Sequence, residues 1–466
     1  MAAPLTQPPQ FERVLSRLDL LLFTISAILT IDTLAAAASM GMTWFTWWGI
    51  TMVLFFIPYG LITAELGAAW PGEGGLLLWV DQGMGRWWGG MASWLYWVNN
   101  AYWVPSVYMI FAGTFDQMFL HSGNTWLQAW IAILMTWITV AIGTVKLDVS
   151  KWIPNLGAIV KVAIFVGLGV LGIGSLLLGR EPANDFSLGQ FVPRWSDSLA
   201  FLPVLLYNTL GFELMSGAGD EMKDPQRDVP RAIITSGAVV SIVYALGALG
   251  ILLAVPIAEL SIVTGAWDAL TVLGRPFGAL GETLVLLLGL GFLYACVGNI
   301  VTWSLGANRV VQVAAAEGTF PAAFGRLHPK YKTPYVAFVW TGVISTALLL
   351  GNAALSDNAA NVFWIIFKLS GLCFLLSYLL LFPSFLILRY RQRERPRPYR
   401  MPGGTAGAWA AALLTTAFIA TAAALFFKPA PDSQAAVFEG LLLGVETLAT
   451  IVVGALLIRR PPASRS

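Results

Sequence analysis

Long apolar runs separated by short polar breaks recur along the whole chain. A helix rises 1.5 Å per residue, so about 20 mostly apolar residues cross a bilayer. Runs of that length lie near 17–37, 43–66, 88–120, 125–144, 153–178, 198–218, 231–255, 277–308, 334–352, 362–388, 407–427 and 436–458. They are continuous rather than alternating in twos, which predicts helices and not a barrel. The expected fold class is an all-α integral membrane protein with twelve transmembrane helices. The loops are too short to house a soluble catalytic domain, so residues 1–466 read as one transmembrane domain. Residues 1–16 are polar and proline-rich, without the apolar core of a cleavable signal peptide. The first run is therefore expected to be a span.

Composition agrees. The 466 residues are 57% hydrophobic and 11% charged, with mean hydropathy +0.73, whereas a soluble domain carries about 25% charged residues. A net charge of +2 from 27 basic and 25 acidic residues gives no reason to expect a nucleic-acid partner. Two cysteines, Cys296 and Cys373, and two histidines, His121 and His328, leave no disulfide framework and too few ligands for a zinc site. No cofactor or metal is expected, and a membrane enzyme would lack its nucleophile–base pair.

Charge also fixes direction. With the N-terminus in the cytoplasm, 21 basic residues fall on the cytoplasmic side and four, Arg180, Arg194, Arg275 and Lys428, on the other. That asymmetry obeys the positive-inside rule and places both termini in the cytoplasm. The arginine run Arg389–Arg400 needs no explanation beyond this topology.

Charged groups in hydrocarbon are costly and need a reason. Six lie within the proposed spans: Asp32, Glu65, Lys161, Glu213, Lys368 and Glu446. Snorkelling is an alternative for Glu65, Lys161 and Lys368, which lie nearer span ends. Glu446 shares a helix face with Glu439, as an oligomer contact or without function. Asp32 and Glu213 sit near mid-span, beside interruptions. In the first span this is Ser26 through Thr33; in the sixth, Asn208-Thr209-Leu210-Gly211 follows Pro203. Breaks five spans apart suggest two inverted five-helix repeats, 17–178 and 198–388, with two extra C-terminal helices over 407–458.

Three segments carry a family resemblance. Glu65-Leu66 with Pro71-Gly72-Glu73-Gly74-Gly75 follows the second span. Gly211-Phe212-Glu213 precedes Asp220-Glu221-Met222-Lys223-Asp224-Pro225-Gln226-Arg227-Asp228-Val229-Pro230-Arg231. Ala307-Asn308-Arg309 leads through Glu317-Gly318-Thr319-Phe320-Pro321 to His328-Pro329 and Thr333-Pro334. In order and spacing they resemble the signatures of the amino acid–polyamine–organocation superfamily of permeases, over roughly residues 12–460. The resemblance implies a secondary transporter of amino acids, proton-coupled or exchanging, working by alternating access. The substrate would lie between the breaks, against Ser26, Ala27, Thr30, Ile31 and Asp32 on one side. Asn208, Thr209, Gly211, Phe212 and Glu213 would face it from the other, Phe212 as its aromatic cover. The expected partners are a small amino acid or amine, protons and the lipid bilayer of the cytoplasmic membrane.

One departure matters. The family carries a glycine-rich triplet at the first break, exposing amides to a substrate carboxylate. Here it is Thr30-Ile31-Asp32. Either the amino acid sits differently, or Asp32 is neutral, or it grips an ammonium and the substrates are amines or polyamines. Asp32 bonded to the break itself or to Lys161 is a purely structural alternative. Lys161 resembles the fifth-span lysine that takes the place of a sodium ion in proton-coupled relatives, bridging span one to span eight. Asn99, Asn100 and Trp103, mid-way along the third span, either line the pocket or make polar contacts between helices. Gly167-Leu168-Gly169-Val170-Leu171-Gly172 matches a dinucleotide fingerprint but lies inside a span without a preceding strand, so it reads as close helix packing. A transporter-like sensor without net flux stays open; a channel lacks a filter motif.

Overall fold

Residues 17–38 make two helices, not one. Arg17–Ile28 stops where Thr30, Asp32 and Thr33 interrupt the apolar run, and Leu34–Ala38 resumes after an unwound stretch over 29–33. The sixth apolar run breaks in the same manner. Helix Leu202–Tyr207 carries Pro203 in its first turn, where a missing N–H costs nothing. It ends in an unwound stretch at 208–211, and helical geometry returns at Phe212 and Glu213. Gly211 sits at φ +127°, a backbone region closed to most L side chains, so glycine here serves the break. This computed structural model describes residues 17–71, 75–145, 152–193, 199, 201–213, 225–355, 358–428 and 436–458. The signature residues 72–74 and 214–224 lie outside them. So do the tail 1–16, Lys146, Lys151, Arg194 and the basic residues after 458.

Among the described residues the structure is all-helical, and nine segments are long and apolar enough to cross a membrane. These are Thr43–Ala69, Thr125–Thr144, Asn155–Leu177, Arg231–Ala254, Gly265–Ala316, Tyr335–Leu355, Ala359–Arg391, Gly404–Leu425 and Glu439–Leu457. Three of the twelve runs read from the sequence are not among these nine, each with a physical reason. The first is split into two helices shorter than a bilayer crossing, and in the sixth the helix Leu202–Tyr207 stops at the break. Helix Arg86–Phe115 has the length, 30 residues, but is built from Trp, Tyr, Asn and Gly more than from aliphatic side chains, and most of it is buried in protein.

That helix forms the spine of the molecule, packing along Ala359–Leu379 and against Gly278–Ala316. The broken first segment lies between Trp152–Leu177, Pro225–Ala254 and Gly278–Ala316. Close approach of two of these depends on glycine. A Cβ on Gly169 would stand 2.9 Å from Leu246, and one on Gly172 would stand 3.3 Å from the Gly250 backbone. The glycine-rich stretch in the fifth run thus packs helix on helix.

Candidate functional site

The two breaks are tied together by one carboxamide. Asn208 Oδ1 accepts from Thr30 Oγ1 at 2.9 Å and from Thr33 Oγ1 at 2.5 Å. Both threonines stand in the unwound first segment and Asn208 at the start of the sixth-segment break. Tyr244, from helix Pro225–Ala254, closes the knot. Its hydroxyl takes the Thr30 amide at 2.8 Å, lies 2.7 Å from Thr30 Oγ1, and reaches the Thr30 carbonyl at 3.0 Å. The Thr30 amide is also 2.9 Å from the Ile28 carbonyl. Unwinding leaves backbone groups in need of partners; here a tyrosine supplies them. Nothing in the sequence pattern singled out Tyr244, a lone aromatic hydroxyl within an apolar run.

Asp32 is 1% exposed, so its partners must come from protein or substrate. Oδ2 accepts from Trp103 Nε1 at 3.0 Å, and Oδ1 accepts from Asn299 Nδ2 at 3.3 Å. Both donors are neutral. Lys161, fully buried, donates to the Ser26 carbonyl and to Asn299 Oδ1, each at 2.6 Å. Asn299 therefore stands between ammonium and carboxyl, accepting from one and donating to the other. The same lysine joins the first segment to helix Gly278–Ala316, and it does not snorkel. Two further bonds fix that junction: Trp303 Nε1 donates to the Ala27 carbonyl at 2.9 Å, and Ser26 Oγ lies 3.4 Å from Thr302 Oγ1. Asn299 and Trp303 were not among the expected site residues. An isolated asparagine in an apolar run was the available signal.

Glu213 lies in a cage of tyrosines. Tyr59 donates to Oε2 at 2.6 Å and Tyr96 to Oε1 at 2.9 Å. The Tyr59 hydroxyl in turn accepts the amides of Gly211 and Phe212, each at 3.2 Å. Aromatic rings lead from one carboxyl group to the other. Trp103, on Asp32, is 6.1 Å from Trp303; Trp303 is 6.1 Å from Tyr96, on Glu213. Phe374 covers this run, 5.4 Å from Trp303 and 5.8 Å from Tyr96.

The other expected residues are distributed around this core. Ile31 and Thr209 are buried, and Thr209 Oγ1 donates back to the Leu206 carbonyl in the helix before the break. Asn99 Oδ1 accepts from Ser370 at 3.0 Å, and Asn100 Oδ1 from Ser304 at 3.3 Å. These carboxamides join the third segment to the tenth and eighth, while Asn100 Nδ2 is buried without a hydrogen-bond partner. Phe212 is set apart. Its ring packs on Phe56 at 4.9 Å and Tyr59 at 5.5 Å, and it lines a separate apolar cleft with Gly60, Ile233 and Gly237.

Away from the breaks, three charged residues of the spans have different fates. Glu65 is buried and clamped by Arg389 through both oxygens at 2.8 Å, with Arg397 at 3.3 Å and the Met401 amide at 3.0 Å. Snorkelling does not describe it, and the arginine run does more than mark topology. Lys368 lies 3.7 Å from Glu439, which accounts for both within one chain. Glu446 is partly buried, and no role emerges for it.

Residues 15–445 match the amino acid permease family. The chain is 33% identical over 442 residues to a Lactococcus lactis subsp. lactis protein named as a probable agmatine/putrescine antiporter, covering 94% of this chain and 93% of that protein. It is 28% identical over 400 residues to an uncharacterised transporter of Legionella pneumophila, covering 84% and 85%. It is 25% identical over 398 residues to a polyamine transporter of rice, Oryza sativa subsp. japonica, covering 84% of this chain and 70% of that one.

Proposed function

The chain belongs to the amino acid permease family of multi-pass membrane transporters, and from that premise we propose that it carries organic amines, with a diamine or agmatine-like dication as substrate. One observation carries the reading: the first break offers a carboxyl group, Asp32, and keeps its central amide, that of Thr30, engaged with Tyr244. A substrate carboxylate would need free donors at a helix end. Here the amides of Thr30, Gly211 and Phe212 all face tyrosine hydroxyls, and two acidic side chains stand at the breaks. An ammonium suits such a site and an α-carboxylate does not. The names of two relatives, an agmatine/putrescine antiporter and a polyamine transporter, favour amines over amino acids in the same sense.

The run of rings from Asp32 to Glu213 extends the reading to a substrate charged at both ends. Ammonium or guanidinium groups would meet the two carboxyl groups, where neighbouring rings add cation–π attraction, and the methylenes between would pack on Trp303 and Phe374. Lys161, held against Asp32 through Asn299, is the coupling group in this reading. A substrate cation arriving at Asp32 would repel the ammonium, linking amine binding to proton release or exchange. Two inverted five-helix repeats with two further helices, twelve spans in all, and cytoplasmic termini complete the architecture, supported by the paired breaks and by the 21-to-4 charge asymmetry.

The test is counterflow of labelled putrescine and agmatine in proteoliposomes, wild type against Asp32→Asn. Removing one partner of a buried ion pair costs about 3 kcal/mol or more, so amine affinity should fall roughly a hundredfold. Binding without counterflow would indicate a sensor, and unchanged affinity in Asp32→Asn would leave the aspartate structural.

A further inference from the structure

The arginine run that clamps Glu65 also forms the wall of a cavity. Helix Leu381–Arg391 ends and helix Gly404–Leu425 begins beside each other, and a cavity of about 580 Å³ lies between them. Four guanidinium groups line it, from Arg389, Arg393, Arg397 and Arg400, together with Tyr390 and Trp409. Glu65 engages two of these, Arg389 and Arg397. Arg393 and Arg400 are exposed and have no carboxylate partner among the described residues; Arg393 stacks on Tyr390 at 5.3 Å. The cavity thus carries a surplus of positive charge arranged for an acceptor with several oxygens, the geometry with which guanidinium groups bind phosphate.

Position decides the source of that phosphate. Gly404–Leu425 is one of the segments able to cross the bilayer, and it starts at the cavity rim. Trp409 and Leu413, 41% and 60% exposed, lie on the first turns of its outer surface. The Trp409 indole donates to the Tyr390 hydroxyl at 3.0 Å. Tryptophan and tyrosine beside arginine, at the first turns of an apolar helix, mark the depth of lipid headgroups. We propose that this cavity binds the phosphate headgroup of an anionic membrane lipid, whose acyl chains lie along helix Gly404–Leu425.

The experiment is native mass spectrometry and thermal denaturation of the full chain in detergent, titrated with phosphatidylglycerol, phosphatidylcholine or glycerol phosphate. Wild type is compared with Arg393→Gln/Arg400→Gln, two exposed changes that leave the Glu65 clamp in place. Each basic residue near an anionic surface strengthens attraction about fivefold, so the double variant should bind phosphatidylglycerol roughly thirtyfold more weakly. Its melting temperature without lipid should match wild type, and Arg393→Lys/Arg400→Lys should recover part of the binding. Equal retention of phosphatidylglycerol by wild type and the glutamine variant would overturn the proposal. So would equal retention of phosphatidylcholine, or stabilisation by glycerol phosphate as large as that by the lipid.

Discussion

The backbone amide of Thr30 donates to the hydroxyl of Tyr244 at 2.8 Å, a side chain 214 positions away on a different helix. An unwound helix exposes donors, and what those donors meet decides what the break can bind. Tyr244→Phe keeps the ring but removes the donor to the Thr30 carbonyl, while the Thr30 amide keeps the Ile28 carbonyl. Leaving a buried carbonyl unsatisfied costs about 1–3 kcal/mol, so the purified variant should melt at a lower temperature than wild type. Putrescine affinity should fall less than in Asp32→Asn, because the lost hydroxyl shapes the break without carrying charge. Equal losses in both variants would make the Tyr244 hydroxyl as important to the amine as the Asp32 charge.

Lys161 and Lys368 are both in membrane segments, yet only one of them touches a break. Lys161 touches the first break and Asn299; Lys368 pairs with Glu439 near a helix end. Lys161→Ala should flatten the pH dependence of amine counterflow, and Asn299→Ala should weaken it, while Lys368→Ala keeps the wild-type profile. A normal pH profile in Lys161→Ala would assign coupling to another group.

Gly211→Ala tests the sixth-segment break. At φ +127° an alanine is strained, and its Cβ would stand 3.2 Å from the Trp303 ring and 3.5 Å from Ile28. A residue forced into such a region costs on the order of 1–3 kcal/mol. The expected outcome is lower thermal stability together with lost transport. A fully active, equally stable variant would show that the break can re-form without a positive φ.

Glu65→Gln leaves the half-buried Arg389 and Arg397 without their counterion, which should lower the melting temperature at a cost of about 1–3 kcal/mol. Removing the Arg389 charge as well, in Glu65→Gln/Arg389→Gln, should restore part of the lost melting temperature. If the double variant were less stable by the sum of two independent losses, the residues would not act as a pair.

The helical, membrane-embedded class was legible because apolar runs of bilayer length dominate the chain. Both breaks were legible too: Thr30, Asp32 and Thr33 in one run, and Asn208, Thr209 and Gly211 in the other, are polar or flexible where an uninterrupted helix has no use for them. The charged residues were visible as types, but their partners were not. Snorkelling stood as an alternative for Glu65 because its clamp, Arg389, comes 324 residues later. Phe212 looked like a lid by resemblance, whereas its ring turns toward Phe56 and Tyr59.

By itself the sequence determined that this chain is a bundle of apolar helices with two interrupted segments and an acidic residue at each. Those properties depend on local composition, since helix length, helix breaking and the cost of charge in hydrocarbon are each set by neighbouring residues. Tertiary structure alone decided which groups meet at the breaks. The partners of Thr30, Asp32 and Glu213 include Tyr244, Asn299, Trp103, Tyr59 and Tyr96, drawn from four other helices. A hydrogen bond depends on distance and direction in space, and sequence spacing along separate helices specifies neither.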